Sequence, residues 1–213
     1  MKPAAIKSFF ATLEAANPNP KTELDYASNF ELLTAVLLSA QATDVSVNKA
    51  TRLLFAVANT PQKILDLGFE GLEGYIKTIG LYHAKARYLM QTCQMLLTQY
   101  GGEVPRTREA LQALPGVGRK TANVVLNVAF GEPTMAVDTH LFRLGNRTGL
   151  APGKTPYEVE LKLLKRIPPA YLLHAHHWLI LHGRYICKAR TPLCWQCSVS
   201  QFCDFKSKTP RPD

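Results

Sequence analysis

The sequence predicts an all-α protein, and three observations carry the prediction. Helix start and stop signals recur along the chain, no Asn-Gly or Asp-Gly turn sits between alternating apolar runs, and no tandem repeat of fixed period is visible. Ser28-Asn29-Phe30-Glu31 reads as a capping box opening the apolar segment 32–40. Thr60-Pro61 starts a second helix, expected to end at Gly68. A short helix is expected around 75–78, and Gly80 separates it from a long one over 82–100, with Leu89, Leu96 and Leu97 as core positions. Gly101-Gly102 stops that helix. Further helices are expected at about 107–113, 119–130, 138–149, 156–166 and 173–187. In the fourth of these, Thr155-Pro156-Tyr157-Glu158 repeats the capping box with Pro at the first helical position. Gly131-Glu132-Pro133 breaks an apolar helix and marks a candidate domain boundary.

Composition narrows the class of partner. The chain has 213 residues, 46% hydrophobic and 19% charged, which excludes wholesale disorder and a staple-dependent miniature scaffold. Lys plus Arg is 25 against 16 Asp plus Glu, a formal charge of +9, so a polyanion or an anionic surface is the first partner to consider. The excess is local: residues 1–100 carry net +1 and residues 101–213 net +8. No block of five or six like charges occurs, so the bases belong to folded elements and not to a basic tail. A solubilising surface is the plainer reading of the same charge. No apolar run approaches the ~18 residues of a membrane span, and Lys7 interrupts the first apolar run, so no signal-peptide core is present. A cytoplasmic, reducing location without membrane contact is expected.

Four of the five cysteines lie within residues 187–203, as Cys187-x6-Cys194-x2-Cys197-x5-Cys203. An odd total with four packed together is a poor disulfide framework and a good metal pattern. Four thiolates after a helix suit tetrahedral zinc or a cubane iron–sulfur cluster, and a single CxxC flanked by wider spacings tilts the choice toward iron–sulfur. The loop between the first two ligands, Lys188-Ala189-Arg190-Thr191-Pro192-Leu193, is basic. Tied down by a metal site it could present cations to phosphates, although a solvated loop fits the sequence equally well.

Leu114-Pro115-Gly116-Val117-Gly118-Arg119-Lys120-Thr121-Ala122 joins one amphipathic helix to the next. Its Gly-x-Gly turn lets backbone approach a ligand closely, and the first amides of the second helix, with the positive end of its dipole behind them, favour phosphate. It is not a Walker loop, because residue 113 is Ala where that motif requires Gly. The pattern is that of a helix-hairpin-helix, which holds nucleic-acid backbone without reading bases. A tight αα-turn that only packs is the bland alternative. Gly116, Val117, Gly118 and Arg119 are therefore candidate DNA contacts. Lys120, in the first helical turn, opposes the dipole, which disfavours the ammonium, and desolvation in a cleft would act the same way. A neutral amine is what a Schiff-base nucleophile needs; a further phosphate contact is the other reading. Asp138, in Met135-Ala136-Val137-Asp138-Thr139-His140, reads as a helix N-cap, and as a catalytic carboxylate it would stabilise positive charge or assist proton transfer.

Taken together, the hairpin segment 114–122, Val137-Asp138-Thr139-His140 and the C-x6-C-x2-C-x5-C ending closely resemble the endonuclease III family of bacterial DNA glycosylases and apurinic/apyrimidinic lyases. Leu37-Leu38-Ser39-Ala40-Gln41-Ala42-Thr43-Asp44 and Ile79-Gly80-Leu81-Tyr82 look like the same family, so the resemblance covers nearly the whole chain, the extreme termini least. It implies two helical lobes with a DNA cleft between them. Residues 22–132 would form a six-helix barrel with the helix-hairpin-helix at about 107–130. Residues 1–21 with 133–213 would carry a [4Fe-4S] cluster on Cys187, Cys194, Cys197 and Cys203, in the loop 187–203. By the same resemblance Lys120 is the nucleophile and Asp138 its essential carboxylate, Gln41 and Leu81 fill or wedge the gap left by an extruded base, and Lys188 and Arg190 face phosphates. The implied activity is base excision repair of oxidised pyrimidines in double-stranded DNA, with strand cleavage at the abasic site, by a nucleoid-associated monomer.

Two rivals stand beside that reading. A sister family excising adenine opposite oxidised guanine shares the hairpin, the aspartate and the cluster, but lacks the lysine and usually adds a C-terminal domain for which the chain length leaves no room. A non-catalytic DNA-binding iron–sulfur module would use the hairpin and the cluster without Lys120 chemistry. His140, His174, His176, His177 and His182 are expected as packing or polar-contact residues, Trp178 and Trp195 as core or cluster cover, and Cys93 as a small buried hydrophobe.

Overall fold

The computed structural model describes residues 1–212. Among these there are ten α-helices, two short 3-10 turns and no strand. The all-α expectation therefore holds. The helices are α1 (Pro3–Ala16), α2 (Asn29–Leu38), α3 (Asp44–Val57), α4 (Pro61–Ile76), α5 (Tyr82–Tyr100), α6 (Arg108–Ala113), α7 (Arg119–Phe130), α8 (Thr139–Arg147), α9 (Pro156–Arg166) and α10 (Pro169–Tyr185). None is long and apolar enough to cross a membrane.

The chain divides into two compact units, Glu23–Gly131 and Met1–Thr22 with Glu132–Asp213. In the first, α2 is the centre: every residue from Phe30 to Leu38 is buried, as a helix that is apolar all round must be. Of the capping box expected at its start the Ser28 half is formed, with Ser28 Oγ accepting from the Glu31 N–H at 3.1 Å, while Glu31 Oε2 reaches one residue further back and accepts from the Ala27 N–H at 2.6 Å. Helices α3, α5 and α7 pack against α2, and α6 packs against α7. In the second unit α1 offers Ile6, Phe9, Phe10 and Leu13, a single helical stripe, to the core. Helices α8 and α10 pack together, and Trp178 of α10 donates its indole N–H to the Asn17 carbonyl at 2.7 Å. Trp178 is thus core.

Three expectations are corrected. Gly68 (φ 73°) does break helical geometry, but the chain resumes helix at once and continues to Ile76; Gly71 and Gly74 lower the propensity of this segment and hide a helix longer than the expected 75–78. Helix α10 begins at Pro169 and not at 173, because Pro at the first helical position supplies the start that the prolines seemed to forbid. Helix α8 ends at Arg147, two residues short of the expectation, with Gly149 in the left-handed region just beyond it. Helix α3 is not anticipated at all. Its β-branched and polar residues conceal a stripe of Val47, Ala50, Thr51 and Leu54 that packs inward.

Candidate functional site

The hairpin is built from a β-turn between α6 and α7. Leu114 leaves α6 in extended conformation, Pro115 follows, Gly116 sits at φ 77°, and the Val117 N–H closes on the Leu114 carbonyl at 3.1 Å. Pro second and a positive-φ Gly third is the type II pattern. Leu114 and Val117 are buried in the core of this unit, whereas Gly116 and Gly118 are exposed. Gly118 is the N-cap of α7 and has no side chain to cap it, so the motif presents backbone and helix pole outward, as phosphate binding requires. Arg119 is half-buried, and Lys120, second in the helix, is exposed.

Gln41 and Leu81 occupy the turns after α2 and before α5, at φ 55° and 61°. Both are exposed. These side chains are held out from the protein by backbone that L-residues seldom adopt.

In the other unit, buried Met135, Ala136 and Val137 lead into Asp138, the N-cap of α8. Its Oδ1 accepts from the N–H groups of His140 at 2.8 Å and Leu141 at 2.9 Å. The cap reading is therefore realised, and the same two bonds fix the orientation of the carboxylate.

The four clustered cysteines line one cavity of about 360 Å³, part of it open to solvent, together with Arg147, His182, Ile186, Leu193, Val199 and Phe205. Among the described residues no three His, Cys, Asp or Glu side chains converge as a mononuclear ion requires. Four thiols around a shared space suit a polynuclear cluster better than a single zinc. Burial, joined by the neighbouring sulfurs, pushes the Cys197 thiol up to about 11, against the opposing pull of the Val199 N–H. The Cys203 thiol is likewise raised, first by burial, with the Phe205 N–H opposing. Four thiolates in such a place need a cationic core, and the donor set fits an iron–sulfur cluster. Cys93, buried in α5, stands apart, its thiol pushed by burial up to about 12.

The cluster loop is gripped by residues that the sequence reading passed over. Arg143 donates to the Cys187 carbonyl at 3.1 Å and the Gly183 carbonyl at 2.7 Å. Arg147 donates to the carbonyls of Lys188 at 2.6 Å and Ala189 at 2.8 Å, approaches Cys187 Sγ at 3.5 Å, and lies over the Phe205 ring. Both arginines belong to α8 at i and i+4, the one sequence signal that could have found them. His182 lies 3.5 Å from Cys197 Sγ. Lys188 and Arg190 are exposed on the loop, in the unit that also holds Asp138, whereas the hairpin, Gln41 and Leu81 belong to the other unit.

Residues 34–169 match the model of the HhH-GPD superfamily base excision DNA repair protein, and residues 187–203 match the iron-sulfur binding domain of endonuclease III. The chain is 60% identical to endonuclease III of Escherichia coli (strain K12) over 208 residues, 98% of this chain and 99% of that one. It is 61% identical to endonuclease III of Haemophilus influenzae over 196 residues, 92% and 93% of the two chains. A solved non-covalent endonuclease III–DNA complex is similar with a TM-score of 0.89 and 44% identity, over 96% of each chain. The chain belongs to the HhH-GPD superfamily of base excision DNA repair proteins and, within it, to the endonuclease III family.

Proposed function

We propose that this protein is a bifunctional base excision repair enzyme that removes oxidised pyrimidines from double-stranded DNA and cleaves the abasic site through a lysine Schiff base. The observation that carries the proposal is the hairpin: exposed glycine backbone and an uncapped helix pole with Lys120 on its first turn. That backbone binds phosphate and sets the lysine beside it. Asp138, in this reading, is the carboxylate held by two amide bonds to stabilise positive charge on the sugar.

Extruding a base costs a few kcal/mol, least for a damaged pyrimidine that stacks poorly. Leu81 and Gln41 enter the space it leaves. The Lys120 amine then attacks C1′ as the glycosidic bond breaks, and the base departs with the bond's electron pair, taking up a proton. Asp138 stabilises the positive charge that develops on the sugar. Opening of the sugar ring leaves an iminium between Lys120 and C1′, which acidifies the C2′ proton. Loss of that proton expels the 3′ phosphate by β-elimination, and water releases the lysine. The [4Fe-4S] cluster, when bound by Cys187, Cys194, Cys197 and Cys203, supplies four metal–sulfur cross-links that order the loop carrying Lys188 and Arg190 toward phosphates. The protein acts as a monomer on the bacterial nucleoid.

Sodium borohydride tests the reading directly, because it reduces the iminium to a stable amine. The intact protein on duplex DNA with one abasic site should yield a covalent adduct that Lys120→Ala abolishes. No adduct with the intact protein would sink the lyase chemistry. A panel of duplexes with single defined lesions tests the substrate class, and base removal confined to purines would overturn it.

A further inference from the structure

Helix α5 touches the hairpin at two points. The Thr92 hydroxyl, fully buried, donates to the Pro115 carbonyl at 3.0 Å. One turn earlier on the same face, the Tyr88 side chain fills the place where a Cβ on Gly116 would stand, 2.9 Å from its Cβ and Cγ. Both contacts bear on one peptide unit, the bond between Pro115 and Gly116. Type I and type II turns differ chiefly in the orientation of this central peptide, which is rotated by about half a turn between them. A trans peptide holds its carbonyl and N–H antiparallel, and no cis bond is present among the described residues.

We infer that Thr92 is a positioning residue for DNA binding: by drawing the Pro115 carbonyl inward, it locks the type II turn and aims the Gly116 N–H outward at a phosphate. Tyr88 reinforces the choice by admitting only glycine at position 116. The inference deepens the proposed function, since it rests on the hairpin being the phosphate-binding element. The mechanism above makes no use of Thr92, and its position 23 residues from Pro115 hides the link in the sequence.

Thr92→Val keeps the branched shape and removes the donor, while Thr92→Ser keeps the donor. Binding to an undamaged duplex, measured across a salt series, separates this inference from the lysine chemistry, because no covalent step occurs. Thr92→Val is expected to bind about tenfold more weakly, the scale of one hydrogen bond to a charged group. The slope of log K against log salt should fall by ~0.9, the value of one phosphate contact on duplex DNA. Thr92→Ser should restore both quantities. The 15N amide resonance of Gly116 in the DNA-free protein should shift in Thr92→Val, since a released turn reorients that N–H. Should Thr92→Val prove insoluble, Thr92→Cys, of similar volume and only a weak donor, takes its place in both measurements. Wild-type affinity, salt slope and Gly116 resonance in the donor-less variant would overturn the inference. Borohydride trapping of the intact protein reports separately on the reading beneath it.

Discussion

Gln41 and Leu81 are the only non-glycine residues with positive φ among the described residues, and the Gln41 carbonyl lies 3.9 Å from where a Cβ on Gly80 would stand. Two strained turns from opposite ends of different helices therefore adjoin, with both side chains exposed. Backbone strain of this kind persists only where surrounding structure over-determines it, and it concentrates at functional sites.

Leu81→Gly should separate stability from function. A left-handed Leu costs about 1–2 kcal/mol, and glycine returns part of that through a freer unfolded chain. Thermal denaturation should show a variant more stable by about 0.5 kcal/mol. Excision of a lesion that is still base-paired should slow by about tenfold, because nothing then fills the vacated stack. A glycine variant as active as the parent on paired lesions would remove Leu81 from the mechanism.

Asp138 combines a cap with a proposed chemical role, and one substitution tells them apart. Asn caps helices as well as Asp, so Asp138→Asn should melt within about 0.5 kcal/mol of the parent, whereas Asp138→Ala should lose about 1 kcal/mol with the two amide bonds. Base removal measured in single turnover should fall by about 10²–10⁴ in both. Full activity in Asp138→Asn would reduce the residue to its cap.

The legible parts of the protein are those where local backbone demands particular residue types. The Pro115-Gly116 turn, the helix starts at Ser28, Thr60 and Thr155, and the spacing of four cysteines are read directly, because each requirement acts within a few residues. What is not legible depends on neighbours brought in by folding. Lys85 looks like a surface residue of α5, yet it is 4% exposed and its Nζ has no hydrogen-bond partner among the described residues, and desolvation lowers its pKa. Arg147 meets carbonyls 41 and 42 residues away. The i, i+4 spacing of Arg143 and Arg147 marks a shared face of α8, but it does not say which distant carbonyls that face meets.

Acid should destabilise the protein partly through His177. Burial, with the charge of His174 second, depresses this imidazole from 6.5 to about 4. Between those values the unfolded chain binds more protons than the native one, so stability is fully present above about pH 6.5 and declines as pH falls toward 4. A shift of this size is on the order of 3 kcal/mol. Urea melts from pH 7 to pH 4 should show the decline, and His177→Gln, which cannot titrate, should flatten it. Identical slopes for the two proteins would show that His177 is not the group responsible.

Arg147 should govern how firmly the cluster loop is held. Its guanidinium forks to the carbonyls of Lys188 and Ala189 and lies over Phe205, closing the loop beside Cys187 from the last turn of α8. A charged donor on a backbone carbonyl is worth about 1.5–3 kcal/mol, and the planar fork serves two carbonyls at once, which an ammonium cannot copy. Arg147→Gln should leave helical content unchanged while the bleaching of the iron–thiolate absorption by a chelator accelerates about tenfold, as loss of one such bond implies. Arg147→Lys should recover little of that difference. DNA affinity should fall in the same variants, because Lys188 and Arg190 ride on the freed loop; parental bleaching rates and parental affinity together would show that the cysteines alone hold the loop in place.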